Sequence, residues 1–259
     1  MNNANDKQEK STQNKASRRQ LLNKNSNFAV QESYKTLRTN IRFLLRDRKC
    51  KRISITSGRA GEGKSITLMN LAISLSEDGQ KVLLIDADMR RPALSRLLME
   101  KANPGLSEVL GGIVYSHEAI RKDVYPNLDI LFSGETPPNP SELLGSETMQ
   151  KLIEELSEVY DYILVDTPPV GVVADASIVT SLLDGVLLLV RQGSSRKDSV
   201  KRAVANLELT GIKPLGFVLN GTVQSVGGYG KYGYGSYSYG KYGSGYYGKY
   251  GYYHNYSKY

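Results

Sequence analysis

The chain has 259 residues, of which 40% are hydrophobic and 23% are charged. These proportions are ordinary for a globular protein, so the chain can bury a full core, and its length suits one α/β domain with additional segments. The single cysteine, Cys50, excludes an internal disulfide. Because no apolar run approaches the ~18 residues that a membrane span needs, we expect a soluble, cytoplasmic protein.

The net charge of +8 is carried by the two ends of the chain. Residues 1–27 and residues 227–259 each carry a net charge of +4, and the residues between them hold 24 basic and 24 acidic side chains. Residues 1–27 are also poor in apolar side chains, which predicts a disordered basic segment. The composition therefore divides the chain into that segment, a neutral folded domain at 28–226 and a separate tail at 227–259.

An amphipathic helix is predicted first, because Tyr34, Leu37, Ile41 and Leu44 recur at steps of three and four residues. Short apolar runs typical of strands follow at 52–56, 81–86, 128–134, 161–166, 185–190 and 214–221. Helical patterns alternate with them at 65–79, 95–101, 141–160, 175–183 and 198–211. Because the strands are near-continuous apolar runs, this alternation predicts a mostly parallel sheet with helices on both faces.

A phosphate-binding loop is predicted between the first strand and the helix after it. Its sequence, GRAGEGKS, fits GxxxxGK[ST] in the strand–loop–helix context that the motif requires, so the fold class is a P-loop NTPase. Glycines let backbone N–H groups turn toward phosphate oxygens, and the helix N-terminus adds its positive end. We expect Lys64 to reach the β- and γ-phosphates and the Ser65 hydroxyl to ligate Mg²⁺. The residues predicted to bind the nucleoside triphosphate here are Gly58, Arg59, Ala60, Gly61, Glu62, Gly63, Lys64, Ser65 and Ile66.

Three aspartates stand at the ends of two predicted strands. Asp86 ends one of them, Asp88 follows two residues later, and Asp166 ends another. Because ligands of open parallel sheets bind at the carboxyl ends of the strands, these side chains are expected to meet the phosphate loop. Asp166 is predicted to act as the Walker B partner of Mg²⁺. Asp86 and Asp88 are candidates for metal binding and for accepting the proton of the attacking nucleophile.

The tail has a composition unlike the rest of the chain. Residues 227–259 contain 13 tyrosines and ten glycines but no Leu, Ile, Phe or Met, and no helical or strand period, so we assign no fold to them. The tyrosines are Tyr229, Tyr232, Tyr234, Tyr237, Tyr239, Tyr242, Tyr246, Tyr247, Tyr250, Tyr252, Tyr253, Tyr256 and Tyr259.

Taken together, the motifs resemble those of the bacterial tyrosine kinases (BY-kinases) of capsular and exopolysaccharide synthesis. The resemblance rests on ESYKTLRTNIRFL, TSGRAGEGKS, LLIDADMRRPAL, GLSEVL, SGETPPNPSELL, YDYILVDTPPV and the tyrosine-rich tail, in that order. It implies an ATP-dependent autokinase in which Asp86, within a Walker A′ motif, is the base toward a tyrosine hydroxyl. It also implies that Ser65, Asp88 and Asp166 surround Mg²⁺ and that the tail tyrosines are the phosphoacceptors.

The resemblance further implies particular partners. Members of this family form rings in which tails are phosphorylated between neighbouring subunits, through a helix with Glu, Arg and Arg at three-residue steps. The matching residues here are Glu32, Lys35 and Arg38, and the lysine loses the bidentate geometry of arginine. Gram-positive members depend on a membrane adaptor that activates them, so we expect recruitment to the inner face of the plasma membrane. A protein-tyrosine phosphatase is expected to reset the tail.

Other residues at strand ends have open roles. Asn220 ends the last predicted strand, where the related P-loop fold implies contact with the adenine edge, but a turn-forming Asn-Gly explains it equally well. Four arginines also follow strand ends, and the sequence does not decide whether they stabilise phosphate or form subunit contacts. They are Arg90, Arg91, Arg191 and Arg196.

The main alternative is a partition or cell-division ATPase of the same branch, which switches on DNA or membrane. Those proteins place a signature lysine five residues before the loop lysine, where this chain has Arg59. A tyrosine-, glycine- and lysine-rich tail also suits single-stranded nucleic acid, but four lysines and no arginine give it modest attraction, so no nucleic-acid partner is expected. A further alternative makes the tail an adhesive segment on an ATPase.

Overall fold

A computed structural model of the chain describes residues 21–171, 175–209, 211–212 and 214–222. The predicted tail at 227–259 and most of the predicted basic segment lie outside the described residues. The helices are α1 (Phe28–Leu44), α2 (Lys64–Ser76), α3 (Leu94–Leu98), α4 (Leu106–Leu110), α5 (Ser116–Ala119), α6 (Pro140–Leu144), α7 (Glu147–Ser157), α8 (Asp175–Thr180) and α9 (Lys197–Leu209). The strands are β1 (Lys51–Ser57), β2 (Val82–Asp86), β3 (Arg121–Tyr125), β4 (Leu128–Leu131), β5 (Tyr162–Asp166), β6 (Gly185–Arg191) and β7 (Pro214–Asn220).

Within the described residues the strands form a seven-stranded sheet in the order β3-β4-β2-β5-β1-β6-β7. Every neighbouring pair is parallel except β3 and β4, which are antiparallel. The mostly parallel sheet predicted from the apolar runs is confirmed. The sequence did not predict β3, because its residues are polar and only partly buried at the edge of the sheet.

Alternate residues of the central strands pack on opposite faces of the sheet. In β2, Val82 and Leu84 join the core under α1, α2 and α3, whereas Leu83 and Ile85 join the core on the other face. Nearly every residue of α2 is buried, since this helix is covered by the sheet on one side and by α1 on another. Helices on both faces thus shield the central strands from solvent, as the near-continuous apolar runs predicted.

The predicted first helix forms as α1 and begins at Phe28. The side chain of Asn27 accepts a hydrogen bond from Ala29 N at 2.8 Å and so caps the first turn of α1. Ile41 is fully buried, and Tyr34 and Leu37 pack partly buried against the same core. These three residues confirm most of the apolar face that the spacing predicted, but the prediction is wrong for Leu44, which is 54% exposed at the end of the helix.

The predicted boundary at residue 28 is wrong, because residues 21–27 belong to the folded part of the chain. Leu21 and Leu22 are buried in the core that contains α2. The backbone N–H of Leu22 donates to Asn70 Oδ1 at 2.8 Å, and Asn70 Nδ2 donates to the Tyr34 hydroxyl at 3.2 Å. Two buried leucines followed by polar residues produce no period, so the sequence pattern concealed this anchor.

The long helical pattern at 141–160 forms two helices rather than one. α6 ends at Leu144 with Gly145 as its C-cap, and α7 begins after Ser146, whose hydroxyl accepts a hydrogen bond from Met149 N at 3.2 Å. In the part of the chain that the structure describes, no helix is both long enough and apolar enough to span a membrane.

Candidate active site

The predicted phosphate loop connects β1 to α2. β1 ends at Ser57 and α2 begins at Lys64, with residues 58–63 between them. Gly61 and Gly63 have φ angles of 80° and 103°, in the left-handed region that side chains rarely adopt. At Gly58 a Cβ atom would lie 2.8 Å from the carbonyl oxygen of Ser199. Glycine is therefore required at these positions for the loop to turn tightly into the helix.

Lys64 is the first residue of α2, and its side chain is buried at the loop. The unpaired N–H groups of the first helical turn and the positive end of the helix lie at the same place, which suits a phosphate. Ser65 follows directly. The structure thus brings the predicted phosphate-binding residues together, while their roles toward a nucleotide stay predictions.

The ends of β6 and β7 hold the phosphate loop in place. Arg191 Nη1 donates to the carbonyl oxygen of Gly61 at 3.1 Å, and Asn220 Nδ2 donates to the carbonyl oxygen of Glu62 at 2.9 Å. The Ser195 hydroxyl donates to the Glu62 carboxylate at 2.5 Å, and Glu62 is 3% exposed. The loop is therefore fixed from the opposite side of the site, by contacts that the sequence did not reveal.

These contacts show where two residues with open roles lie. Arg191 binds the phosphate loop of its own chain, so a structural role accounts for its side chain. The amide of Asn220 bonds to the loop backbone, which places the residue beside the nucleotide site. Its predicted contact with adenine stays a prediction.

Asp86 and Asp166 lie side by side at the carboxyl ends of β2 and β5. They are partners in the register of these parallel strands, and the backbone N–H of Ala87 donates to the carbonyl oxygen of Asp166 at 2.9 Å. Both continue the alternation that directs Leu84 and Leu164 into the core containing α2, the helix that starts at Lys64. Strand register therefore directs both carboxylates toward the phosphate-loop side of the sheet.

The Asp86 carboxylate is fully buried and caps α3. Its Oδ2 accepts hydrogen bonds from Ala93 N at 3.1 Å and Leu94 N at 3.0 Å, and its Oδ1 accepts one from Asp88 N at 3.3 Å. Burial raises the pKa of Asp86 strongly, and the neighbouring Asp166 carboxylate raises it further. Asp86 thus holds the turn after β2 in place and is a better proton acceptor than an ordinary carboxylate.

The Asp166 carboxylate is buried without a matching donor. Within the described residues, neither of its oxygens has a hydrogen-bond partner of normal geometry. Burial raises the pKa of Asp166, although Lys64 and Ser65 are close enough to lower it in part. A buried, unpartnered carboxylate next to a second one is a place where a cation lowers the free energy.

This arrangement fits Mg²⁺ that arrives with a nucleotide. In the described part of the chain, no three acidic, histidine or cysteine side chains form a group that could hold a metal ion by themselves. Mg²⁺ is usually bound by one or two carboxylates together with phosphate oxygens and water, so a complete protein cage is not needed. The oxygens of Asp166 and the hydroxyl of Ser65 are the fitting ligands, with Asp88 beside them.

Asp88 is the accessible member of the acidic group. It is partly exposed, and its Oδ1 accepts a hydrogen bond from Arg91 N at 3.1 Å. Burial raises the pKa of Asp88, although Asp88 is less deeply buried than Asp86. A hydroxyl group from outside can therefore reach Asp88 directly, whereas Asp86 has no exposed surface.

An ion pair between a partly exposed arginine and a buried aspartate connects the turn after β2 to α8, and a serine of α6 joins it. Arg90 Nε donates to Asp175 Oδ2 at 2.7 Å, and Arg90 Nη2 donates to the Ser141 hydroxyl at 3.1 Å. The Ser141 hydroxyl donates to Asp175 Oδ1 at 2.5 Å, and Asp175 is 1% exposed. Burial alone would raise the pKa of Asp175, but the hydrogen bonds from Arg90 and Ser141 lower it. We call this group the Arg90–Asp175–Ser141 clamp; the sequence predicted none of its contacts.

The residues predicted to form a ring contact lie on α1, outside this site. Lys35 Nζ pairs with Glu32 Oε1 at 2.8 Å on the exposed side of the helix. Arg38 donates to the carbonyl oxygen of Ser74 at 2.7 Å and pairs with Asp78 at 3.1 Å, so it binds its own chain. The ring contact itself stays a prediction.

Comparisons with known proteins agree with the site. The AAA domain family matches residues 50–201, more than half of the chain. The tyrosine-protein kinase YwqD of Bacillus subtilis (strain 168) is 41% identical over 190 residues, which cover 73% of this chain and 80% of that protein. The structure of the kinase domain of the Escherichia coli tyrosine kinase ETK is 33% identical, with a TM-score of 0.72. It covers 79% of this chain and 80% of its own.

Cell-division ATPases, the alternative family, are less similar to this chain. The septum site-determining protein MinD of Pyrococcus horikoshii, solved with Mg-ADP, is 29% identical with a TM-score of 0.56, over 66% of this chain and 70% of its own. It shares the P-loop fold, but the tyrosine kinases share more of the sequence and more of the length. The chain therefore belongs to the bacterial tyrosine-protein kinases.

Proposed function

We propose that this tyrosine kinase phosphorylates the tyrosines of its own tail, from Tyr229 to Tyr259, between neighbouring molecules. The observation that carries the proposal is the convergence of Lys64, Asp86 and Asp166 at one edge of the sheet, in a chain whose last 33 residues hold 13 tyrosines. A glycine-rich chain of that length has a reach of about 30 Å, from ~5–6 Å times the square root of its length. That reach allows a tail to enter the site of an adjoining molecule.

In this proposal each residue of the site has one task. Lys64 and the N–H groups of the phosphate loop bind the β- and γ-phosphates of ATP. Ser65, Asp88 and Asp166 hold Mg²⁺, which neutralises charge on the phosphates when it is bound. Because Arg191, Ser195 and Asn220 fix the loop beforehand, little reorganisation is needed when the nucleotide binds.

The base toward the tyrosine hydroxyl is one of two neighbouring aspartates. The family resemblance implies Asp86, and its raised pKa suits a proton acceptor. Asp86 has no exposed surface, however, so a hydroxyl reaches it only if the turn carrying Asp88 moves aside. We assign the proton to Asp86 by way of that movement, and a lower kcat for Asp86→Asn than for Asp88→Asn at saturating Mg²⁺ would support this assignment.

We further propose that the chain regulates capsular or exopolysaccharide synthesis and export, as its resemblance implies. The partners would be a membrane adaptor that recruits the kinase to the inner face of the plasma membrane, neighbouring copies in a ring, and a phosphatase. The domain organisation supports this proposal, because a folded kinase body is followed directly by the tyrosine cluster. The number of phosphates is expected to matter, since three phosphotyrosines add roughly −5 and reverse the +4 charge of the tail.

The test is the intact mass of the protein after incubation with Mg·ATP, with and without the cytoplasmic segment of an adaptor. We expect a ladder of phosphate additions that map to residues 227–259. Lys64→Met should abolish the ladder, because it removes the cation that binds the transferred phosphate. As a matched control, Lys49→Met removes an exposed lysine that pairs with Glu158 and should leave the ladder intact.

Two results would contradict the proposal. Phosphate additions by Lys64→Met would remove the phosphate loop from the reaction. An unchanged mass of the wild-type protein together with steady ATP hydrolysis would favour the cell-division type of ATPase.

A further inference from the structure

Five of the 18 tyrosines lie in the folded body rather than in the tail, and the fold treats them differently. Tyr162 is fully buried, and Tyr160 is 7% exposed. The Tyr160 hydroxyl donates to Asp129 and accepts from Lys122, and burial together with the hydrogen bond to Asp129 raises its pKa to about 12. A kinase cannot reach these hydroxyls without unfolding the sheet.

Tyr34 and Tyr125 are also held by the core. The Tyr34 hydroxyl accepts a hydrogen bond from Asn70 Nδ2 beneath α1. Tyr125 lies on β3 and packs partly buried against the same core as Tyr34. Moving either ring into a catalytic cleft would expose apolar surface that is now packed against the core.

Tyr115 is the exception. It is 75% exposed, and its hydroxyl makes no hydrogen bond with another described residue. Its ring lies flat against His117, with the ring centroids 5.6 Å apart, and contacts solvent on its other side. No core contact needs to break before this hydroxyl can move.

The backbone around Tyr115 also suits delivery to another molecule. Tyr115 has the extended angles φ −79° and ψ 154°, just before α5. Gly111 and Gly112 precede it, and Gly112 has a φ of 70°. Ile113, between them and the tyrosine, is 74% exposed. Residues 111–115 thus form an exposed turn with glycines at its start and a tyrosine at its end.

We propose that Tyr115 is a phosphoacceptor of this kinase, outside the tail. The inference rests on the proposed autophosphorylation and extends it to the folded body. The tail tyrosines share no flanking motif, so accessibility rather than sequence selects the acceptor, and Tyr115 meets that condition. In the reaction the Tyr115 oxygen forms a bond to the γ-phosphorus of ATP. The bond from that phosphorus to the β,γ-bridging oxygen breaks, ADP departs with the electron pair, and the hydroxyl proton passes to the base.

Phosphorylation at Tyr115 would change the local charge. The phosphate adds about −1.5 to −2 charges beside Glu118, whose carboxylate accepts the backbone N–H of Tyr115 at 2.8 Å. His117 is stacked on the same ring. An exposed neutral turn would thereby become an acidic one.

The experiment maps phosphates on the full-length protein after incubation with Mg·ATP. Trypsin cleaves after Lys101 and Arg121, and the peptide 102–121 contains Tyr115 as its single tyrosine. We expect phosphate on this peptide as well as on the tail, and none on the peptides that carry Tyr34, Tyr160 and Tyr162. Tyr115→Phe should remove the phosphate from peptide 102–121 and reduce the largest observed mass by one phosphate, with the tail pattern unchanged.

The matched control is Tyr125→Phe, which should leave the number of phosphates unchanged. A fully phosphorylated tail with an unmodified peptide 102–121 would overturn the inference and leave the proposed function standing. The absence of phosphate from every peptide would overturn the proposed function, and the inference with it.

Discussion

At the scale of single residues, the site is dominated by two buried carboxylates that repel each other. Asp86 is stabilised by three backbone N–H groups, whereas Asp166 has no hydrogen-bond partner of normal geometry among the described residues. Their proximity raises the free energy of the nucleotide-free protein, and a cation bound with a nucleotide would lower it. Binding and stability are therefore opposed at Asp166.

We expect Asp166→Asn to stabilise the nucleotide-free protein by about 1–2 kcal/mol, because it removes a buried carboxylate that repels Asp86 and is only partly compensated by Lys64 and Ser65. The variant should gain little further stability from Mg·ATP, whereas the wild-type protein should gain much, since a ligand stabilises the folded state by RT ln(1 + [L]/Kd) and the variant binds it more weakly. Thermal unfolding with and without Mg·ATP measures both effects. A variant less stable than the wild type without nucleotide would show that Asp166 has a partner in solution.

The Arg90–Asp175–Ser141 clamp acts on the site through the turn that carries Asp88. We expect Asp175→Asn to lower kcat for autophosphorylation by about 10–100-fold, as is usual when a group that orients metal ligands is lost. The KM for ATP should change much less, because the phosphate loop is held by other contacts. Initial rates of phosphate incorporation over a range of ATP concentrations separate kcat from KM.

Asp184 offers a matched control for that prediction. It is also a buried aspartate with a bidentate arginine, since Arg52 donates to its carboxylate from Nε at 3.2 Å and from Nη2 at 2.9 Å. It lies just before β6, at the amino-terminal end of that strand, whereas the site lies at the carboxyl ends of the strands. Asp184→Asn should therefore lower stability and leave kcat unchanged. Equal losses of kcat in the two variants would mean that the clamp contributes only to stability.

At the scale of secondary structure, the segment before α1 is the element whose role the sequence concealed. Leu21 and Leu22 fill the core beside α2, and the backbone of Leu22 is bonded to Asn70 of that helix. The core of the described chain therefore includes residues ahead of the predicted boundary at residue 28.

We expect Leu22→Ala to destabilise the protein by about 2–5 kcal/mol, the usual cost of deleting a buried leucine side chain. Phe28→Ala is the matched control, because Phe28 is 68% exposed at the start of α1 and its loss should cost less than about 0.5 kcal/mol. Urea unfolding followed by circular dichroism gives both values. Equal stability of the two variants would restore the domain boundary to residue 28.

The predictability of each element follows from its burial. β1, β2 and β5 were predicted because both of their faces are largely buried and each sequence contains a short apolar run. β3 was not predicted, because an edge strand with exposed positions has no such pattern. Within the site, the phosphate loop and the aspartates at strand ends are local in sequence and were predicted. The contacts Arg90–Asp175 and Glu62–Ser195 join residues 85 and 133 positions apart, which no local pattern contains.

At the scale of the whole molecule, stability depends on pH through buried ion pairs away from the site. Burial alone would raise the pKa of Asp184, but the hydrogen bonds from Arg52 lower it below its usual value. A lowered folded-state pKa means that the stabilisation is present above the unfolded pKa of about 3.9 and is lost as the pH falls through the folded value.

We expect the wild-type protein to exceed Asp184→Asn in free energy of unfolding by about 1–3 kcal/mol at pH 7. The difference should persist to about pH 5 and shrink below pH 4, where the carboxylate becomes protonated in both states. Chemical denaturation of both proteins at several pH values measures it. A difference that stays constant down to pH 3 would contradict the ion pair as its source.

The anchor at Leu21 and Leu22 has a mechanical consequence. Any force applied to the chain ahead of residue 21 is delivered first to the side of α2, through the two leucines and the bond to Asn70. α2 begins at Lys64, so the load travels along one rigid helix to the phosphate loop without crossing the sheet. Tension on the N-terminal end of the molecule would therefore shift the phosphate loop before it separates any strands of the sheet.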